Sequence, residues 1–67
     1  MLDKAFLRYF YQWLDDATDE ELSDKREQLR ALLPRLEDAE VKRDTRYLLR
    51  RIEREQADRL FLPRNNS

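Results

Sequence analysis

No glycine occurs in this chain of 67 residues. Glycine provides the positive backbone φ that the tight type I′ and II′ hairpin turns require. It also lets the backbone approach a phosphate closely in nucleotide-binding loops. The sequence therefore argues against a β-rich fold and against the common phosphate-binding motifs, and it predicts an all-α protein.

Cysteine and histidine are absent as well. Disulfides, thiolate or imidazole metal sites and the commonest general base are thereby excluded. A chain this short buries only about 60% of the surface of its unfolded state, and domains of this size usually need an additional source of stability. The sources that remain are regular helix packing and self-association.

The first predicted helix runs from about Leu2 to Leu14 and is rich in aromatic residues. Asp3 is a candidate N-cap. Five of the seven aromatic residues of the chain fall between Phe6 and Trp13. The apolar positions follow helical spacing and cover roughly 200° of the circumference, against about 100° for an ordinary surface helix.

Two further helices are predicted on either side of a proline. Thr18 and Glu21 have the spacing of a capping box and begin the second helix. Pro34 removes a backbone donor, so this helix should end or kink near Leu33. The third helix opens near Asp38, a plausible N-cap, and continues to about residue 60.

The connection at residues 34–37 is short, which favours an antiparallel helical hairpin. We expect the second helix to bury one leucine face against an apolar face of the third. The positions are Leu22, Leu29, Leu33 and Leu36 on one side, and Val41, Leu48 and Ile52 on the other, with Thr45, Leu49, Gln56 and Leu60 nearby. Residues 1–62 should form one small, three-helix, bundle-like domain, with a frayed tail at 63–67 after Pro63.

The aromatic first helix predicts a surface for a partner. One helix packed on a two-helix hairpin covers only part of its circumference, so some rings should stay uncovered. We expect either a twofold homodimer or an adaptor or regulator that binds another protein; the alternative is that the rings only fill the core. The anchors would be Phe6, Tyr9, Phe10 and Trp13. Binding to a membrane surface is disfavoured because Lys4 and Arg8 are balanced by nearby aspartates.

Charge is unevenly distributed along the chain. Residues 15–40 contain ten acidic and four basic side chains, residues 42–59 contain seven basic and four acidic ones, and the whole chain has a net charge of −1. The simplest interpretation is pairing between the two helices of the hairpin, assisted by local pairs such as Glu27 with Arg30.

An arginine strip on the third helix supports a second function, that of a nucleic-acid-associated regulator. Arginine suits phosphate contact and an adjacent aromatic ring suits base stacking. The residues would be Arg43, Arg46, Tyr47, Arg50 and Arg54. A pI of about 5.4 argues against this function, since nucleic-acid-binding domains are usually basic.

No constellation for catalysis or metal binding emerges. The carboxylates of Asp15, Asp16, Glu20, Asp24 and Glu27 lie in polar stretches, and the hydroxyl groups have no histidine to activate them. We expect no enzymatic activity, metal, cofactor or small-molecule substrate.

The chain also carries no strong targeting signal. No apolar run approaches the roughly 18 residues of a membrane span, and the N-terminal segment is a poor signal peptide. We therefore expect a cytoplasmic protein, in which the glycosylation-like triplet at Asn65 is a chance match.

Overall fold

The computed structural model describes residues 2–61, which form three helices. Helix α1 spans Lys4–Asp16, α2 spans Asp19–Leu32 and α3 spans Ala39–Phe61, with a 3-10 turn at Leu33–Arg35 after α2. The predicted all-α, three-helix class is confirmed. The predicted tail at 63–67, the domain end at 62 and the glycosylation-like triplet lie outside the described residues.

Each helix begins at the polar residue that the sequence indicates. The Asp3 carboxylate accepts a hydrogen bond from the backbone N–H three residues later, at 2.8 Å. Thr18 and Glu21 form the reciprocal capping box, with distances of 2.8 and 3.1 Å. The Asp38 carboxylate accepts from two backbone N–H groups in the first turn of α3. These contacts satisfy donors that a helix start leaves unpaired.

Helices α2 and α3 form the predicted antiparallel hairpin. Leu22 of α2 and Ile52 of α3 are fully buried, each with 0% exposure. Leu29 and Leu48 pack against them and are partly buried. The fully buried core therefore lies at the end of the hairpin away from its Pro34 connection, because Leu22 is the first residue of its predicted apolar face and Ile52 the last residue of the other.

Two of the apolar positions assigned to this face are exposed. Val41 is 39% exposed and Leu60 is 76% exposed, so placing Val41 in the buried face was wrong. Val41 lies in the first turn of α3, whereas the hydrogen bonds and ring contacts from α1 to α3 fall further along, from Tyr47 onward. Leu60 lies in the last turn, near the other end of α3.

Polar side chains link the two helices of the hairpin along its length. Arg30 forms an ion pair with Glu53 at 2.9 Å, so the predicted local pair of Glu27 with Arg30 was wrong. Nearer the centre of α2, the side chain of Gln56 accepts from Arg26 at 3.1 Å. The same amide donates to the Ser23 hydroxyl at 3.2 Å. These bonds fix the register of the hairpin.

Helix α1 completes the core from one side of the hairpin. Phe10, Leu14 and the following Ala17 are buried beside Leu22 and Ile52. The radius of gyration is 12.9 Å, against about 11 Å for a compact chain of this length. The molecule is therefore elongated, and much of α1 keeps a side that the hairpin does not cover.

Candidate functional site

An apolar groove runs between α1 and the α2–α3 hairpin. Its volume is about 280 Å³. The walls combine rings of α1 with an apolar side chain from each of the other helices, and a lysine lies among them. The lining residues are Phe6, Tyr9, Phe10, Trp13, Lys25, Leu29 and Leu48.

The four predicted anchors converge on this groove but differ in exposure. Tyr9 is 68% exposed and Phe6 is 41% exposed. Trp13 is half-buried and packs against the core. Phe10 is only 7% exposed and belongs to the core itself. Phe10 thus has little surface left for a partner, and the accessible apolar area belongs to Phe6, Tyr9 and Trp13.

Stacking holds three of these rings in a fixed order. The Phe10 ring lies 6.2 Å from Phe6, with an interplanar angle of 11°. On its other side it lies 6.1 Å from Trp13, at 24°. Such offset pairs contribute roughly 0.5–1.5 kcal/mol each beyond the area they bury. The buried Phe10 therefore contacts both of its more exposed neighbours and fixes their place on the groove wall.

The opposite flank of α1 contacts α3 through polar and aromatic side chains. The hydroxyl groups of Tyr11 and Tyr47 hydrogen-bond to each other. The guanidinium of Arg51 lies over the Tyr11 ring, 5.3 Å from its centroid, within the range of a cation–π interaction. The hydrogen bond with Tyr11 and partial burial together raise the pKa of Tyr47. These contacts hold α1 on the hairpin from the side away from the groove.

The predicted arginine strip lies on a different surface. Arg43, Arg46, Arg50 and Arg54 are all exposed on α3, and the only α3 residue that lines the groove is Leu48. Tyr47, assigned to the same strip, is 36% exposed and its hydroxyl is bonded to Tyr11. The aromatic groove and the strip are thus two separate surfaces.

The acidic residues considered as possible metal or catalytic groups do not converge into such a site. Asp15, Asp16, Glu20, Asp24 and Glu27 are exposed. Across residues 2–61, no group of three acidic side chains converges in a way that could hold a metal ion. None of the three helices, as far as the structure describes them, is long and apolar enough to cross a membrane.

Part of the groove and a second apolar patch were not predicted from the sequence. Lys25, Leu29 and Leu48 line the groove, yet the two leucines were assigned only to the hairpin core. Periodicity alone cannot separate a fully buried position from one at a groove edge. At the end of α3, Leu60 and Phe61 are 76% and 77% exposed, although Leu60 continues the apolar spacing of its helix.

Comparison of the chain with protein-family models, with curated proteins and with solved structures finds no match. The fold and the groove define the protein as a small all-α chain with an open aromatic surface.

Proposed function

We propose that this protein is a non-enzymatic interaction module that associates with a second copy of itself through the aromatic groove. The observation that carries the proposal is the exposure of Tyr9 and Phe6, 68% and 41%, on the wall of an ordered apolar groove. Exposed apolar patches rimmed by polar residues are typical of protein-binding surfaces. Aromatic residues are also the side chains that most often dominate binding energy.

The size of the core favours a second copy as the occupant. Within residues 2–61 only five apolar residues are buried, and the chain has neither cysteine nor histidine to hold a disulfide or a zinc ion. Domains this small usually gain stability from such a link or from oligomerisation. A second subunit would extend the core across the groove and cover the rings that α1 leaves open.

The groove has the features that a twofold contact requires. In a twofold dimer the same patch serves on both subunits, so it must both present a side chain and receive one. Tyr9 protrudes on the groove wall, and the adjacent space of about 280 Å³ can receive a ring. Among the described residues that line the groove, Lys25 alone is charged, and its aliphatic stem can pack on apolar surface while the ammonium group stays in water.

Sedimentation equilibrium of the full chain tests this function. Between about 1 and 100 µM, the average mass should rise from 8.3 kDa toward twice that value, because dimerisation depends on concentration. Tyr9→Ser should weaken the association at least about tenfold, since aromatic anchors often contribute 2 kcal/mol or more. Because Tyr9 is mostly exposed in the subunit, the helical circular dichroism should be unchanged.

Leu60→Ser is the matched control. Leu60 is 76% exposed and lies outside the groove, so its loss removes a similar kind of exposed apolar group without touching the proposed interface. The dissociation constant of the dimer should change less than about twofold, as expected for a residue outside the interface. A mass that stays at 8.3 kDa over the whole range would reject self-association. If the two variants weaken the association equally, the interface lies outside the groove.

A further inference from the structure

The six arginines of α3 fall into two groups. Arg51 packs on the Tyr11 ring, and Arg59 donates three hydrogen bonds. The other four have exposed side chains and form no hydrogen bond or ion pair with any residue in the described range 2–61. They are Arg43, Arg46, Arg50 and Arg54, and we call them the arginine strip.

The strip occupies a face of α3 that contains no acidic residue. At about 100° per residue, its members lie within roughly 80° of one another, opposite the buried Ile52. The other described residues on this arc are Ala39, Ala57 and Phe61. Glu53 borders the arc, but its carboxylate is held by Arg30 of α2 at 2.9 Å. Glu40 and Asp58 lie about 40° beyond the other edge, and within residues 2–61 no ion pair neutralises the strip.

Keeping these charges together has a cost for the helix. Like-charged side chains four residues apart destabilise a helix by about 0.2–0.5 kcal/mol for each pair, and the strip contains two such pairs, Arg46 with Arg50 and Arg50 with Arg54. A bound polyanion would remove this repulsion. The charge pattern is thus complementary to an anionic ligand outside the chain.

The geometry of the strip suits a linear array of phosphates. Successive members are three or four residues apart, which separates their Cα atoms by about 4.5–6 Å along the helix axis. The strip from Arg43 to Arg54 extends over about 16 Å. Guanidinium groups bind phosphate oxygens in pairs, so a single row of four can follow one strand of a nucleic-acid backbone.

We propose that the arginine strip binds single-stranded nucleic acid through its phosphates, independently of the aromatic groove. A single narrow row matches one strand better than the two strands of a duplex. At the end of the same arc, the ring of Phe61 is 77% exposed and is placed to stack on a base, a contact that single strands offer. Phe61 takes this role in place of Tyr47, whose hydroxyl is bonded to Tyr11.

Fluorescence anisotropy with a labelled single-stranded oligothymidylate tests the proposal. Plotted as log affinity against log salt concentration, binding should fall with a slope of about −0.7 per phosphate contacted, or nearly −3 for four contacts. The double variant Arg50→Gln, Arg54→Gln should bind roughly tenfold or more weakly at about 50 mM salt, with a slope reduced by about 1.4.

The control is the double variant Arg8→Gln, Arg35→Gln. Both residues are exposed and lie outside the strip, and their loss changes the net charge by the same amount. We expect less than a twofold change in affinity. Equal weakening by the two double variants would overturn the proposal, because binding would then reflect overall charge alone.

Three further outcomes would also overturn it. The first is no change in anisotropy with the oligonucleotide at low salt. The second is tighter binding to duplex DNA than to the single strand. The third is binding of polyglutamate, or of vesicles that contain phosphatidylserine, as tightly as the oligonucleotide, which would assign the strip to an acidic protein or to a membrane.

Discussion

The guanidinium of Arg59 donates a hydrogen bond to the backbone carbonyl of Leu14, at 3.0 Å. This carbonyl lies in the last turn of α1, where a helix provides no backbone N–H donors for its carbonyl groups. The same guanidinium bonds to Asp19 at the start of α2 and to Glu55 one turn earlier in α3, both at 2.9 Å. One side chain of α3 thus connects the end of α1 to the beginning of α2.

Replacing Arg59 with methionine should lower the free energy of unfolding by about 1.5–3 kcal/mol, the range for hydrogen bonds to charged groups. Burial disfavours the charged form, but the bonds to Glu55 and Asp19 outweigh it and raise the pKa of Arg59. Urea denaturation followed by circular dichroism measures the loss. The control Arg54→Met, on an exposed side chain without a partner in the described range 2–61, should change stability by less than about 0.5 kcal/mol. Similar losses for both variants would refute the role of Arg59.

Removing the capping box at the start of α2 should destabilise the fold. Thr18→Ala deletes the hydroxyl that accepts from the backbone N–H of Glu21 at 3.1 Å. The expected loss is about 1 kcal/mol, since such caps contribute roughly 0.5–2 kcal/mol. Thr18→Ser keeps an accepting oxygen at the same position, so its denaturation midpoint should stay close to that of the natural chain. Equal midpoints for alanine and serine would contradict the capping role.

Stability should fall at alkaline pH because of the Tyr11–Tyr47 pair. The pKa of Tyr47 lies above its ordinary value of 10.0 because of its hydrogen bond with Tyr11, with burial adding to the effect. The folded state therefore holds this proton more tightly than the unfolded state. The resulting stabilisation is fully present below pH 10 and is lost as the pH rises through the higher folded-state value.

The variant Tyr47→Phe isolates this effect. It removes the titrating hydroxyl and the hydrogen bond, so stability should be lower near neutral pH and should decline less steeply above pH 10. Urea midpoints measured from pH 7 to 11.5, together with tyrosinate absorbance, give both quantities. A decline as steep as that of the natural chain would show that other groups cause it.

The hairpin should be more sensitive to truncation at its buried end, at Leu22, than near its connection, at Leu32. Leu22→Ala removes a side chain with 0% exposure, and such changes cost about 2–5 kcal/mol. The same substitution at Leu32, which is 44% exposed in the last turn of α2, should cost less than about 1 kcal/mol. Thermal unfolding of the two variants compares the positions directly. An equal loss at Leu32 would mean that this side chain is covered in solution.

The sequence was sufficient to predict the helices because their signals are local. Asp3, Thr18 and Asp38 were each identified as helix starts, and each forms the expected capping contact. Pro34 was expected to end the second helix near Leu33, and α2 gives way to a 3-10 turn there. These features depend on spacings of two to four residues, which can be recognised without knowledge of the tertiary structure.

The predictions that were wrong concern contacts between residues far apart in the sequence. Val41 has the right helical spacing for burial but lies before the part of α3 that α1 contacts, so it is exposed. Arg30 was assigned to Glu27 on its own helix, yet it pairs with Glu53 across the hairpin. Likewise, Phe10 and Tyr9 are adjacent aromatic residues, and only the packing of α1 shows that one fills the core and the other stays exposed.

In the proposed dimer, the aromatic groove of one subunit contacts the same groove of the other. Isotope-filtered NOE spectroscopy on a mixture of ¹³C-labelled and unlabelled chain tests this most directly, because it detects only contacts between subunits. We expect cross-peaks between the Tyr9 ring of one subunit and the Leu29 methyl groups of the other, and their disappearance in Phe6→Ser. Intermolecular cross-peaks that arise only from Leu60 and Phe61, or none at millimolar concentration, would contradict this dimer.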